Sequence, residues 1–220
     1  MFENFFKKKP IKRDSKVIID EIQELFRNEK FDEVIERASL LLSDHDQELV
    51  LEANLRIALS YFRKAKYEDS LPIFEKIADA KNDVGSWFNV ITSAILANEI
   101  DKGKKAFKKT QELQKESNYS QQPSLPQIRY YYACALNDIG LYAEALEQLD
   151  ELKKIYMQLV ITDDTFVYIR GVPFMSHTLD LARKVLIGMN MELSNSTWLK
   201  ELKAAVDDDG KEIIEKYYEV

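Results

Sequence analysis

The chain has 220 residues, 45 % of them hydrophobic and 31 % charged, with only six glycines and five prolines. That balance can bury a continuous core, and the shortage of turn-forming residues argues against an all-β fold and for long helices. Net charge is −7, and residues 1–13 carry +4 of their own, which leaves −11 on the remainder. So acidic a body repels phosphate backbones and attracts basic proteins, so nucleic acid is not an expected partner.

Residues 1–14 read as a basic, aromatic N-terminal tail. Phe2, Phe5 and Phe6 precede Lys7, Lys8 and Lys9, and Pro10 blocks a helix. Residues 1–13 offer a weak membrane-surface tether at most, because so few apolar residues bury little area. This end lacks the apolar core of a signal peptide, and no apolar run in the chain is long enough to span a bilayer. A single cysteine, Cys134, precludes an internal disulfide. A cytoplasmic protein is the expectation.

Helical periodicity begins after the tail. Ile18, Ile22, Leu25 and Phe26 form one stripe, and Phe31, Val34, Ile35, Ala38 and Leu41 form a second after a short break. The unit then returns. Leu51, Leu55, Ala58, Leu59 and Phe62 precede Tyr67, Leu71, Phe74 and Ile77. Trp87, Val90, Ile91, Ala94 and Ile95 precede Ile100, Phe107 and Leu113. Ile128, Tyr132, Ala135 and Leu136 precede Tyr142, Ala145, Leu146 and Leu149. The residues opening the second stripes are Phe31, Tyr67, Ile100 and Tyr142, at intervals of 36, 33 and 42. A helix–turn–helix period of about 34 residues marks one class of repeat. The extra length of the last interval falls in residues 111–126, around the turn-forming Asn118 to Pro123.

Gly140-Leu141-Tyr142-Ala143-Glu144-Ala145-Leu146 in the fourth unit resembles the tetratricopeptide repeat across its turn. So do Ala58, Tyr61, Tyr67, Ser70 and Phe74 in the second unit, and Trp87, Gly103 and Phe107 in the third. Departures are visible: no unit has the closing proline, the first is degenerate, and Asn98 stands where glycine is usual. The resemblance implies an all-α fold, a right-handed superhelical solenoid of antiparallel helix pairs. About four repeats are expected over 15–160, at 15–46, 50–82, 84–116 and 126–160. Residues 161–220 would be a C-terminal helical cap. There, Pro173 precedes Leu179, Ala182, Val185 and Leu186, Ser194 or Asn195 could cap a helix carrying Trp198 and Leu202, and Asp207 to Gly210 break the chain before Ile213, Ile214 and Tyr217.

The resemblance also implies a concave groove lined by the first helices of successive units. Carried over position by position, its residues are Phe26, Arg27 and Gln23 in the first unit, then Leu55, Leu59, Phe62 and Arg63 in the second. The third supplies Phe88, Thr92, Ile95 and Leu96, and the fourth Tyr130, Cys134, Asn137 and Asp138. Such a set is largely apolar, with the aromatic and arginine side chains that anchor protein interfaces. Two arrangements stay open: a groove free for a partner, or one filled by the chain's own Trp198, Ile214 or Tyr217. The carboxylate-clamp positions, Ile19, Gln23 and Arg56, hold one plausible match, which argues against capture of a chaperone tail.

Catalytic and metal motifs are missing from the sequence. His45 and His177 stand apart, with no histidine or cysteine at ligand spacing. A calcium loop with Gly210 at its sixth position would need an acid at Ala205 and Lys216. No cofactor, metal or catalytic residue is expected. The function read from the residues is a protein-interaction module, an adaptor, scaffold or regulator holding a protein or peptide in the apolar groove. One alternative is an immunity or inhibitor protein that neutralises a basic toxin through its acidic surface; a helical-fold enzyme is the other.

Overall fold

The structure is a computed structural model that describes residues 15–218. The expected tail at 1–14 lies outside the described residues. Among the described residues there are twelve helices and no strand: α1 (Ser15–Arg27), α2 (Phe31–Ser39), α3 (Gln47–Arg63), α4 (Tyr67–Lys81), α5 (Val84–Leu96), α6 (Ile100–Glu116), α7 (Leu125–Asp138), α8 (Tyr142–Gln158), α9 (Asp164–Ile169), α10 (Met175–Gly188), α11 (Thr197–Ala205) and α12 (Asp208–Glu215). None of them is long and apolar enough to cross a membrane.

Four turns of one construction set the repeat. Glu29, Ala65, Asn98 and Gly140 adopt φ of 58°, 55°, 62° and 79°. Each stands two residues before the helix opened by Phe31, Tyr67, Ile100 or Tyr142. At every turn the amide of the left-handed residue donates three residues back, and the next amide donates five back. The carbonyls in the four turns are Phe26 and Leu25, Phe62 and Tyr61, Ile95 and Ala94, and Asn137 and Leu136. This double bond satisfies carbonyls that the end of an α-helix leaves orphaned, and it turns the chain back at once. Only the last turn uses glycine. The other three hold a side chain in a backbone region that L-residues avoid.

Helix starts follow local chemistry. Asp46, Asp83 and Ser196 accept amide protons from the first turns of α3, α5 and α11. Ser124 and Gln127 form a reciprocal capping box at α7. The α11 cap is therefore Ser196, not Ser194 or Asn195 as the spacing suggested; its hydroxyl is the one placed to take the Leu199 amide. Pro173 stands at the entry of α10, one residue before its N-cap Phe174.

The described residues divide into two compact units, 15–73 and 74–218. In the first, α1, α2 and α3 pack around Ile22, Val34, Ala38, Leu41, Ala53 and Ile57. Charged ties join its two turns: Arg63 to Glu29 at 2.6 Å, and Lys64 to Asp32.

In the second unit α5 packs on α6 and α7, α7 on α8, and α8 on α10 and α11, with α12 against α10 and α11. Two glycines mark close approaches. A Cβ at Gly103 would fall 2.5 Å from Ile95 Cδ1, and one at Gly188 would fall 2.4 Å from the Tyr142 ring. Small residues here let a large neighbour fill the gap, which is how helix pairs nest at interior packing density. Tyr156, fully buried, donates its hydroxyl to the Pro173 carbonyl at 2.6 Å and shares a 2.9 Å bond with Thr178. That fixes the segment between α8 and α10, where the short α9 sits.

Candidate functional site

In the second unit the first helices of successive pairs are α5 and α7. No residue of α5 is charged and none is exposed. Phe88 of α5 meets Tyr131 of α7 edge to face, ring centres 5.6 Å apart, and Tyr131 meets Tyr130 at 5.3 Å. Thr92 lies one turn beyond Phe88, its hydroxyl 3.3 Å from the Asn89 carbonyl. Tyr131 is 50 % exposed. The result is a short aromatic edge across two helices, open to solvent at Tyr131.

Around this edge the polar groups are arranged in pairs. Tyr130 hydrogen-bonds Cys134. Burial, assisted by Cys134, Tyr131 and Asp180, raises the Tyr130 phenol well above its ordinary range. Burial also pushes the Cys134 thiol up to about 11, although Tyr130 and Lys184 act in the other direction. Asn137 donates to Asp138 at 3.3 Å. From the turn after α12, the Tyr217 hydroxyl bonds Asp180 at 2.9 Å and the Ser176 carbonyl at 3.0 Å, both on α10. The polar rim thus comes from α7, α10 and the turn after α12.

One expectation is corrected. Ile95 does not line a groove: it is fully buried, pressed against Gly103 where α5 and α6 approach. Of the three side chains that could fill the groove, Trp198 packs on α8. Its indole is buried on α8, donating to Asp150 at 2.8 Å beneath the Lys153 ammonium. Ile214 is likewise core, and Tyr217 is held by α10.

In the first unit the groove positions are half-buried and mostly engaged within the unit. Phe26 meets Phe31 edge to face at 5.5 Å, with the Arg56 guanidinium over its ring at 5.8 Å. Phe62 meets Tyr67 at 5.3 Å. Arg63 stacks over Phe31 at 5.3 Å while paired to Glu29. Leu55 and Leu59 are half-buried, and Arg27 is exposed. Arg56 itself is tied to Glu52 at 2.7 Å.

Sequence reasoning missed Tyr131 and, on α10, Asp180; it offered Tyr217 only as a filler of the groove. Tyr130-Tyr131-Tyr132 was a usable signal: three successive aromatics on a helix span about 200°, so they cannot all be core. Tyr132 is the buried one, against Phe107 at 4.8 Å. Among the described residues no group of three or more histidine, cysteine or acidic side chains could hold a metal ion.

Comparison with solved structures places this geometry. The crystal structure of a Podosopora anserina protein, named as a kinesin light chain with nearly identical TPR-like repeats, superposes with a TM-score of 0.61. The alignment covers 89 % of this chain and 97 % of that one, at 13 % identity. A related structure of the same protein covers 86 % and 93 %, also at TM-score 0.61 and 13 % identity. The fold is TPR-like. No family model and no curated protein matches the sequence, so the likeness lies in the backbone. TPR-like folds generally mediate protein–protein interactions and are typically non-enzymatic scaffolds.

Proposed function

We propose that this TPR-like chain is a protein-binding module, and that its second unit holds a partner segment against the α5–α7 edge. Phe88, Thr92, Tyr130 and Tyr131 supply the contact, and Asn137 and Asp138 its polar rim. The observation that supports this is the uncharged α5 beside a row of aromatic rings whose middle member, Tyr131, is half-exposed. Buried rings with one wet end are the side chains that carry interface energy. Trp198 and Tyr217, two of the side chains that could have covered the edge, are held on α8 and α10. In the first unit Phe26, Leu55, Leu59, Phe62 and the exposed Arg27 form a separate candidate contact, with Arg63 already held by Glu29. The setting is cytoplasmic, with no catalytic residue, cofactor or metal in the mechanism.

The acidic-inhibitor reading differs in its partner rather than its fold: one tight basic ligand, with affinity falling steeply as salt rises. Affinity capture from the source organism separates the two. The wild-type chain and a Tyr131→Glu variant serve as baits, followed by mass spectrometry at low and high salt. The proposal expects partners that Tyr131→Glu fails to retain, at unchanged melting temperature. Equal capture by both baits contradicts it.

A further inference from the structure

The outer helix of the third pair runs against the charge of the rest of the molecule. The chain is net −7, yet α6 carries Lys102, Lys104, Lys105, Lys108, Lys109 and Lys115 against Asp101, Glu112 and Glu116. Its inward face buries Gly103, Ala106, Thr110, Leu113 and Gln114. The lysines therefore share the outward face, and all but the half-buried Lys109 are exposed. Lys102 pairs with Glu75 at 3.2 Å. Among the described residues the other five form no ion pair, not even with the acids at three- and four-residue spacing on the same helix. Lys104 and Lys108, and Lys105 and Lys109, stand at i,i+4, where like charges repel. The helix thus holds a row of exposed ammonium groups that an outside anion can pair.

We infer that the outward face of α6 is a docking surface for an acidic segment of a protein partner, distinct from the α5–α7 edge. Charge sets the sign of the ligand. Spacing sets its length: from Lys102 to Lys115 the helix rises about 20 Å, the reach of roughly six extended residues. Two observations choose protein over other polyanions. The face carries no exposed apolar or aromatic side chain to enter a bilayer interface, since Phe107 is turned onto Tyr132. Three carboxylates interrupt it, which a uniform phosphate backbone would meet with repulsion. A protein segment can place its own cations opposite Asp101, Glu112 and Glu116.

The test uses the full chain and a fluorescein-labelled twelve-residue peptide of glutamate and serine interrupted by two lysines, read by fluorescence anisotropy. Binding is expected at about 50 mM salt, weakening at least tenfold by about 200 mM. The Lys104→Gln/Lys105→Gln/Lys108→Gln variant is expected to bind at least tenfold more weakly, whereas Lys200→Gln/Lys216→Gln binds as wild type. Circular dichroism confirms that both variants are folded. Should the triple variant prove unfolded, the wild-type salt dependence and protection of residues 100–116 in hydrogen exchange on adding peptide decide instead. No binding at low salt overturns the inference, as does equal binding by the two variants. So does tighter, α6-dependent binding of phosphatidylserine vesicles or duplex DNA.

Discussion

Replacing Gly140 with alanine isolates the backbone term of the repeat turn. A Cβ built there has no heavy atom within 4 Å, so nothing clashes. What remains is the φ of 79°. An L-residue in the left-handed region costs about 1–2 kcal/mol, and the loss of unfolded-state freedom returns about 0.4–1 kcal/mol. The net expectation is a loss of about 1 kcal/mol. The mirror change is Ala65→Gly, at φ 55°, which is expected to stabilise by about the same amount. Asn98→Gly gains only a few tenths of a kcal/mol, because asparagine tolerates this conformation better than alanine. For a chain of this length each kcal/mol moves the melting midpoint by about 2–4 °C. Thermal and urea melts of the three variants are the assay. A neutral Gly140→Ala, or an Ala65→Gly that destabilises, would refute the claim that one strained turn is repeated along the chain.

Other expectations follow from single contacts. Tyr156→Phe removes the buried donor to the Pro173 carbonyl and costs about 1–3 kcal/mol in urea melts. Desolvation pushes the Asp207 carboxyl up, but hydrogen bonds from Thr162 and from the Gly210 amide outweigh it and hold the group below the usual carboxylate range. Its stabilisation is therefore present above the unfolded value near 3.9 and lost as pH falls through the folded one. The deficit of Asp207→Ala, about 1–2 kcal/mol at neutral pH as a lost helix cap, should shrink below about pH 4. With the Cys134 thiol pushed up to about 11 by burial, disulfide-exchange labelling at pH 8 should be at least tenfold slower in the folded chain than in guanidinium. Labelling at the unfolded rate would place Cys134 at the surface.

The repeat was legible because it rests on local chemistry. Phe31, Tyr67, Ile100 and Tyr142 open their helices where the stripe pattern places them. The turns before them are closed by backbone bonds that Glu29, Ala65 and Asn98 make as glycine does. That is why Asn98 in place of glycine left the fold intact. What sequence could not deliver depends on packing depth. Ile95 sits at a groove position by count, but Gly103 lets α6 approach so closely that the side chain is swallowed. The extra length after α6 reads as a turn, yet its role appears only in space: Gln114 donates to the Gln121 and Pro123 carbonyls, and the Gln121 side chain caps the Val84 amide. The short α9 has no periodicity of its own to announce it. Asp180 and Tyr217 meet because the turn after α12 lies against α10, which no local pattern encodes.

Hydrogen exchange on the chain with and without a captured partner tests the binding face most directly. The α5–α7 account predicts that added protection falls on residues 84–96 and 125–138, with residues 142–158 of α8 unchanged. Protection confined to other helices, with those two segments exchanging as in the free chain, would contradict it.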